Sequence, residues 1–123
     1  MVRSDLASSG VMFSIDPDSG HDGVIHIAAS YGLGELIVQG TVSPDTYTVW
    51  KEGLLKDKFA IVHRHLGSKD QRMVYASDGV RATTVEEVSF AERRDWVMSS
   101  GECKRLANMA LRIEHHYGMP MDI

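Results

Sequence analysis

Apolar and polar positions change their rhythm once along the chain. Through roughly the first three-quarters, apolar residues come in short runs set off by turn-formers; in the last quarter they recur at helical spacing. Val11-Met12-Phe13-Ser14-Ile15 predicts a strand that stops at Asp16-Pro17-Asp18-Ser19-Gly20. There Pro presets φ, Asp caps the turn and Gly accepts positive φ. Val24-Ile25-His26-Ile27-Ala28-Ala29 follows as a second strand, which suggests a hairpin with a longer loop. Thr46 to Lys51, Phe59 to Arg64 and Gln71 to Ala76 are rich in β-branched and aromatic residues and read as further strands. Ser77-Asp78-Gly79 signals a turn into the Thr- and Val-rich run from Arg81 to Val88, an antiparallel pairing.

The long helix spans Ser100 to Tyr117. Ser99 and Glu102 have capping-box spacing, in which each side chain satisfies an orphan backbone N–H. Cys103, Leu106, Ala107, Ala110, Ile113 and Tyr117 share one face, with Lys104, Arg105, Asn108, Arg112 and His115 on the other side. Gly118 stands at the C′ position and Pro120 blocks continuation. Met121-Asp122-Ile123 reads as the opening of another strand, so the chain is expected to have been cut there. The pattern predicts an α+β fold: a mostly antiparallel sheet of about five or six strands with one long C-terminal helix packed on it.

Composition narrows this little. The 123 residues suffice for one domain, and 43% hydrophobic with 24% charged residues is ordinary for a soluble globular protein. A net charge of −4 with scattered Lys and Arg argues against nucleic acid as partner. The lone Cys103 fits a reducing, cytoplasmic setting. No apolar run is long enough to span a membrane, and Met1 to Leu6 has no signal-peptide character.

Candidate chemistry is sparse. Asp16-x-Asp18-x-Gly20-x-Asp22 resembles a calcium loop only superficially, because Gly20 replaces a ligand and Ile27 stands where a bidentate Glu is needed. A polar hairpin loop fits better. His63 and His65 share a strand face, but no set of histidines, Cys and carboxylates completes a metal site by spacing. Gly32-Leu33-Gly34-Glu35, with Gly40, follows a strand. It is neither a P-loop nor a dinucleotide fingerprint, since no Gly-Lys-Ser/Thr follows and Ile37 occupies the third Gly position. It reads either as a turn or as a place where backbone approaches a nucleotide while Glu35 accepts from ribose hydroxyls.

Several blocks together resemble the phosphoenolpyruvate synthase (pyruvate, water dikinase) family. They are Val2 to Asp16; Ala29-Ser30-Tyr31-Gly32-Leu33-Gly34-Glu35 with Val38-Gln39-Gly40; Ser43-Pro44-Asp45; Leu66-Gly67-Ser68-Lys69 with Met73-Val74-Tyr75; and His116-Tyr117-Gly118 with Pro120-Met121-Asp122-Ile123. They stand in family order and at about family spacing. Glu52 to Lys58 and Ser77 to Met98 carry no matching motif.

The resemblance implies part of an ATP-grasp nucleotide-binding domain in a larger enzyme, with a swivelling phosphohistidine domain and a pyruvate-binding barrel as its partners. By the same resemblance, Gly32, Gly34 and Glu35 lie beside the nucleotide. Asp122 opens an Asp-Ile-Glu motif whose carboxylates hold the Mg2+ that bridges ATP phosphates. The partnering Glu, and the phosphate-clamping Lys and Arg upstream, lie outside these 123 residues. None of the histidines sits in a phosphohistidine motif. The isolated chain is therefore expected to be catalytically inactive, because phosphoryl transfer rests on positioning and charge stabilisation. A stand-alone nucleotide-binding or regulatory module of the same fold remains the alternative.

Overall fold

The computed structural model describes residues 3–56, 60–77 and 82–123. Phe59 of the expected fourth strand, the Asp78-Gly79 turn, Arg81 and the chain start at Met1-Val2 lie outside the described residues. The observed elements are strands β1 (Ser8–Phe13), β2 (Val24–Tyr31), β3 (Asp45–Trp50), β4 (Ile61–His65), β5 (Gln71–Tyr75) and β6 (Thr83–Glu87), and helices α1 (Glu35–Val38), α2 (Lys51–Leu55), α3 (Phe90–Arg94) and α4 (Ser100–Tyr117). The α+β class stands. The strands, however, form two sheets: one of four strands in the order β1-β2-β3-β4, and the pair β5-β6.

The chain divides into two compact units. The first holds Met1–Gly10, Ala29–Asp45 and Leu66–Val97; the second holds Val11–Ala28, Thr46–His65 and Met98–Ile123.

In the first unit, β5 and β6 pair antiparallel in unbroken register, from Gln71 opposite Glu87 to Tyr75 opposite Thr83. Leu36, Val42 and Met73 form its apolar cluster, with Leu33 and Ile37 packed against it. Burial of Leu36, Val42 and Met73 contributes about 1.5–3 kcal/mol each. Helix α3 is capped by Ser89, whose hydroxyl accepts from the Glu92 N–H.

In the second unit, β3 pairs antiparallel with β4 and a bulge falls between Thr48 and Val49. Ile25, Ile27, Tyr47 and Val49 are fully or almost fully buried. The Tyr47 hydroxyl accepts from the Met98 N–H at 3.2 Å. Helix α4 has the predicted bounds, and its capping box is complete: the Ser99 hydroxyl accepts from the Glu102 N–H and the Glu102 carboxylate from the Ser99 N–H. Gly118 ends it in the left-handed conformation, as expected. The buried face is narrower than the pattern suggested. Cys103, Ala107 and Ala110 are fully buried, Leu106 and Ile113 half-buried, and Tyr117, expected on that face, is 61% exposed. Three small residues at the centre of the contact let the helix backbone lie close to what it covers, and the large ring of Tyr117, the last residue of the helix, is left outside.

Met121 to Ile123 lie along the end of β1 about a single antiparallel bridge between Phe13 and Asp122. Met12 and Ile123 exchange backbone hydrogen bonds at 2.7 and 2.8 Å, and Ser14 N–H donates to Met121 O at 2.9 Å. The loop after β1 is held by Asp16, whose carboxylate accepts from the Asp18 N–H and the Ser19 hydroxyl, with Gly20 at φ +74°. It is the polar loop the sequence suggested.

Candidate functional site

Gly32, Gly34 and Glu35 lie in the first unit, where β2 ends and α1 begins. The two glycines there have different tasks. Gly32 is buried at φ +77°, and a Cβ on it would stand 2.6 Å from Met73 O and 2.9 Å from Arg72 Cβ. Its own N–H donates to Ala7 O at 3.0 Å and its carbonyl accepts from the Ser9 hydroxyl at 2.6 Å. The space left by its missing side chain is taken up by β5, so the close approach at Gly32 is protein against protein.

Gly34 has an ordinary helical backbone, φ −72°, at the N-cap of α1. A Cβ there would meet the Ser9 side chain, its hydroxyl at 3.3 Å and its Cβ at 3.7 Å. Glu35 is exposed and accepts from the Gln39 amide at 3.1 Å. Glu35 faces solvent, and Gly34 is half-buried beside Ser9.

A second cluster in the same unit was not foreseen. Asp45 and Lys69 are both completely buried, and the Lys69 ammonium donates to Asp45 Oδ1 at 2.5 Å. The same oxygen accepts from the Gly67 N–H at 2.8 Å, and Oδ2 accepts from the Val97 N–H at 2.9 Å. The Lys69 N–H donates to Ser43 O at 3.1 Å, with the Lys69 backbone in the left-handed region at φ +42°. A Cβ on Gly67 would collide with the carbonyls of Ser43 and Pro44. The ammonium also lies 6.0 Å from the centre of the Tyr31 ring, at the edge of cation–π range.

Three of the blocks that carried the family resemblance thus meet here: Ala29 to Glu35 through Tyr31, Ser43-Pro44-Asp45, and Leu66 to Lys69. The available signal was Lys69 inside such a block. A separation of 24 residues from Asp45 gave nothing local to read.

Around this cluster, the Tyr31 hydroxyl donates to Glu92 O at 2.8 Å. Burial, with Asp95, Asp45 and Glu92 nearby, pushes its pKa above the usual tyrosine value. Arg72 bridges Glu86 and Glu92, at 2.7 and 3.2 Å.

Asp122 belongs to the second unit. It pairs with Phe13 across an antiparallel bridge and is exposed. Met12 and Ser14, on either side of Phe13, are buried. The alternation of a strand therefore turns the Asp122 carboxylate away from the face that buries them. Among the described residues, no three His, Cys, Asp or Glu side chains are grouped so as to hold a metal. One exposed carboxylate fits a magnesium ion only where phosphate oxygens and water supply the remaining ligands, which is how magnesium is ordinarily held.

In the second unit, Lys51 donates to Ser14 O at 2.5 Å and pairs with Glu114 at 2.8 Å. No helix among the described residues is long and apolar enough to cross a membrane.

The chain is thus a two-sheet α+β fold with a glycine-rich turn set against a buried ion pair. The match is to the family described as pyruvate phosphate dikinase, AMP/ATP-binding domain, over residues 1–123, and the chain belongs to that family. Over its whole length it is 50% identical to phosphoenolpyruvate synthase of Escherichia coli (strain K12). It is 44% identical to the enzyme of that name from Deinococcus radiodurans and 46% identical to that of Synechocystis sp.. In each case the chain spans 16% of the relative's length.

Proposed function

We propose that this chain is the nucleotide-binding part of a pyruvate, water dikinase: an enzyme that converts ATP, pyruvate and water to AMP, phosphoenolpyruvate and phosphate through a phosphohistidine. The observation that carries the reading is the family match over the whole chain, joined to 50% identity with a phosphoenolpyruvate synthase. On this reading residues 1–123 are a single partial domain, part of an ATP-grasp region. Its partners are a phosphohistidine domain and a pyruvate-binding barrel, and its setting is the cytoplasm.

Gly34 and Glu35 are the residues of the glycine-rich segment that face the nucleotide. The exposed Glu35 carboxylate accepts hydrogen bonds from ribose hydroxyls, and Gly34, half-exposed, adds no side chain beside it. Gly32 supports them from behind by letting the segment lie on β5. Asp122 supplies one carboxylate to Mg2+, which when bound offsets phosphate charge.

The 123-residue chain by itself does not turn over. In-line phosphoryl transfer needs a positioned acceptor and a cluster of charges around the phosphates. The described residues offer one exposed metal carboxylate, Asp122, and no cluster of three metal-ligating side chains around it.

The test is an amide-resolved NMR titration with Mg-ATP against Mg-GTP. Selective shifts at Gly34, Glu35 and around Asp122 are expected with ATP. A folded chain with no shift at any of these positions would refute the site assignment. Phosphohistidine formed by the chain alone would refute the stated inactivity.

A further inference from the structure

A buried Asp–Lys pair is a costly thing to place in a unit this small. Removing two charges from water costs several kcal/mol per ion, and an apolar pair of similar volume is often as stable or more so. Asp45 recovers some of that by accepting three hydrogen bonds. Lys69, fully buried, has Asp45 as the one hydrogen-bond acceptor of its ammonium among the described residues and the face of Tyr31 at 6.0 Å. Such an arrangement is better explained by what it fixes than by what it stabilises.

What it fixes can be followed along two routes, both inside the first unit. The first runs through space: Lys69 to the ring of Tyr31, the residue that precedes Gly32 in the chain. The second runs along the backbone. Lys69 is locked by Ser43 O and Asp45, and β5 starts two residues later. The Leu33 N–H then donates to Met73 O of β5 at 2.9 Å, and Gly32 lies against Met73 and Arg72. Both routes end on the same turn, from Gly32 to Glu35.

We propose that Lys69, held by Asp45, is a positioning residue for nucleotide binding: it sets the backbone of Gly32 to Glu35 by seating Tyr31 and by fixing the start of β5. The proposal rests on the reading that this segment meets the nucleotide. Lys69 does not itself touch the ligand. Its removal lowers the fraction of molecules whose segment is ready to bind, and the apparent affinity falls by that fraction.

The test compares the wild-type chain with Asp45→Asn/Lys69→Met, which replaces the charged pair by neutral side chains of similar size, and with Lys69→Arg, Tyr31→Leu and Tyr31→Phe. Three quantities are read: the thermal midpoint, amide exchange at Leu33, Gly34 and Glu35 without nucleotide, and Mg-ATP affinity. The folded double variant is expected to exchange these amides and to lose affinity by about tenfold, as when the competent population drops to about a tenth. Tyr31→Leu moves both in the same direction with the pair intact. Tyr31→Phe, which keeps the ring, restores affinity, and Lys69→Arg restores it in part.

A folded double variant with wild-type exchange and affinity overturns the proposal. So does faster exchange spread equally over β5 and β6, which is what a merely structural pair would give. If the double variant does not fold, Tyr31→Leu decides alone: wild-type affinity there overturns the proposal. Absence of Mg-ATP binding by the wild type overturns the nucleotide reading and this one with it. Binding by the wild type that all variants share overturns only this one.

Discussion

Substituting Gly32 by Ala separates two reasons for a glycine that usually come together. Its φ is +77°, and an L-residue in the left-handed region costs about 1–2 kcal/mol. The added Cβ would also stand 2.6 Å from Met73 O and 3.0 Å from Met73 N, backbone atoms that cannot swing aside. Relieving such overpacking by backbone shifts costs a further ~1–3 kcal/mol, and the shift strains the 2.9 Å bond from Leu33 N–H to the same carbonyl. The sum is a loss of about 2–5 kcal/mol, a large part of the 5–15 kcal/mol that typically holds a domain. Gly40→Ala is the matched control: φ is +72° in the same unit, and nothing lies within 4 Å of its Cβ position. It should lose only about 1–2 kcal/mol. Urea unfolding followed by far-UV circular dichroism measures both, with unchanged m-values required for the comparison. Equal losses for the two variants would show that Gly32 is there for its dihedral alone and that β5 does not press on it.

The remaining predictions concern other links. Gly34→Ala keeps a helical backbone but sets a Cβ 3.3 Å from the Ser9 hydroxyl, which donates to Gly32 O, and should cost about 1 kcal/mol; unchanged Mg-ATP affinity of the folded variant in the same NMR titration removes Gly34 from the site. Either Asp45→Asn or Lys69→Met alone leaves a fully buried group without its partner and costs about 3–5 kcal/mol, while the double variant costs less than the sum; additive losses in a chemical-unfolding cycle would contradict the pairing. Ser99→Ala removes the cap of α4 and about 1 kcal/mol. The Ser99 backbone N–H, and then its hydroxyl, hold the Glu102 carboxyl below its ordinary value of 4.5. A depressed folded pKa stabilises above the unfolded value, so this contribution is present at neutral pH and lost as pH falls from about 4.5; Ser99→Ala keeps the backbone N–H that is its larger cause, so the variant should lose stability in acid much as the wild type does and stay below it. Burial raises the Cys103 thiol to about 11, so a thiol-reactive dye at neutral pH should label it only after unfolding; prompt labelling of the native chain would contradict its burial.

How much of this fold the sequence disclosed follows from how local each signal is. Helix α4 was legible to its bounds because its cap, its face and its stop are all set within a few residues. The six strands were legible as strands, but β1 begins at Ser8 rather than Val11, and β2 runs on to Tyr31. An apolar run marks what is buried, whereas a strand ends where its neighbour's hydrogen bonds end, and Ser8 to Gly10 carry no apolar signal. Helices α1, α2 and α3, of four or five residues each, are too short to show a period. The division of the strands into two sheets depends on pairings distant in sequence, about which composition and periodicity say nothing.

The candidate site shows the same boundary between local and distant information. Gly32, Gly34 and Glu35 were picked out together as one glycine-rich stretch, and their backbone functions could not be told apart until the atoms opposite each glycine were known. Gly32 faces β5 and Gly34 faces the Ser9 side chain, so the first serves packing and the second is the one proposed to meet the ligand. Lys69 was the harder case. Lysine is among the residues least often fully buried, and nothing near it in the chain announces Asp45 as its partner. What the sequence did hold was a set of separate blocks sharing a family likeness, and three of those blocks meet at one buried ion pair. A set of motifs dispersed along a chain can therefore mark residues that hold one another rather than residues that each touch a ligand. On the proposed reading, Gly34 and Glu35 of the first unit meet the nucleotide, while Gly32, Asp45, Gly67 and Lys69 keep those two where they are.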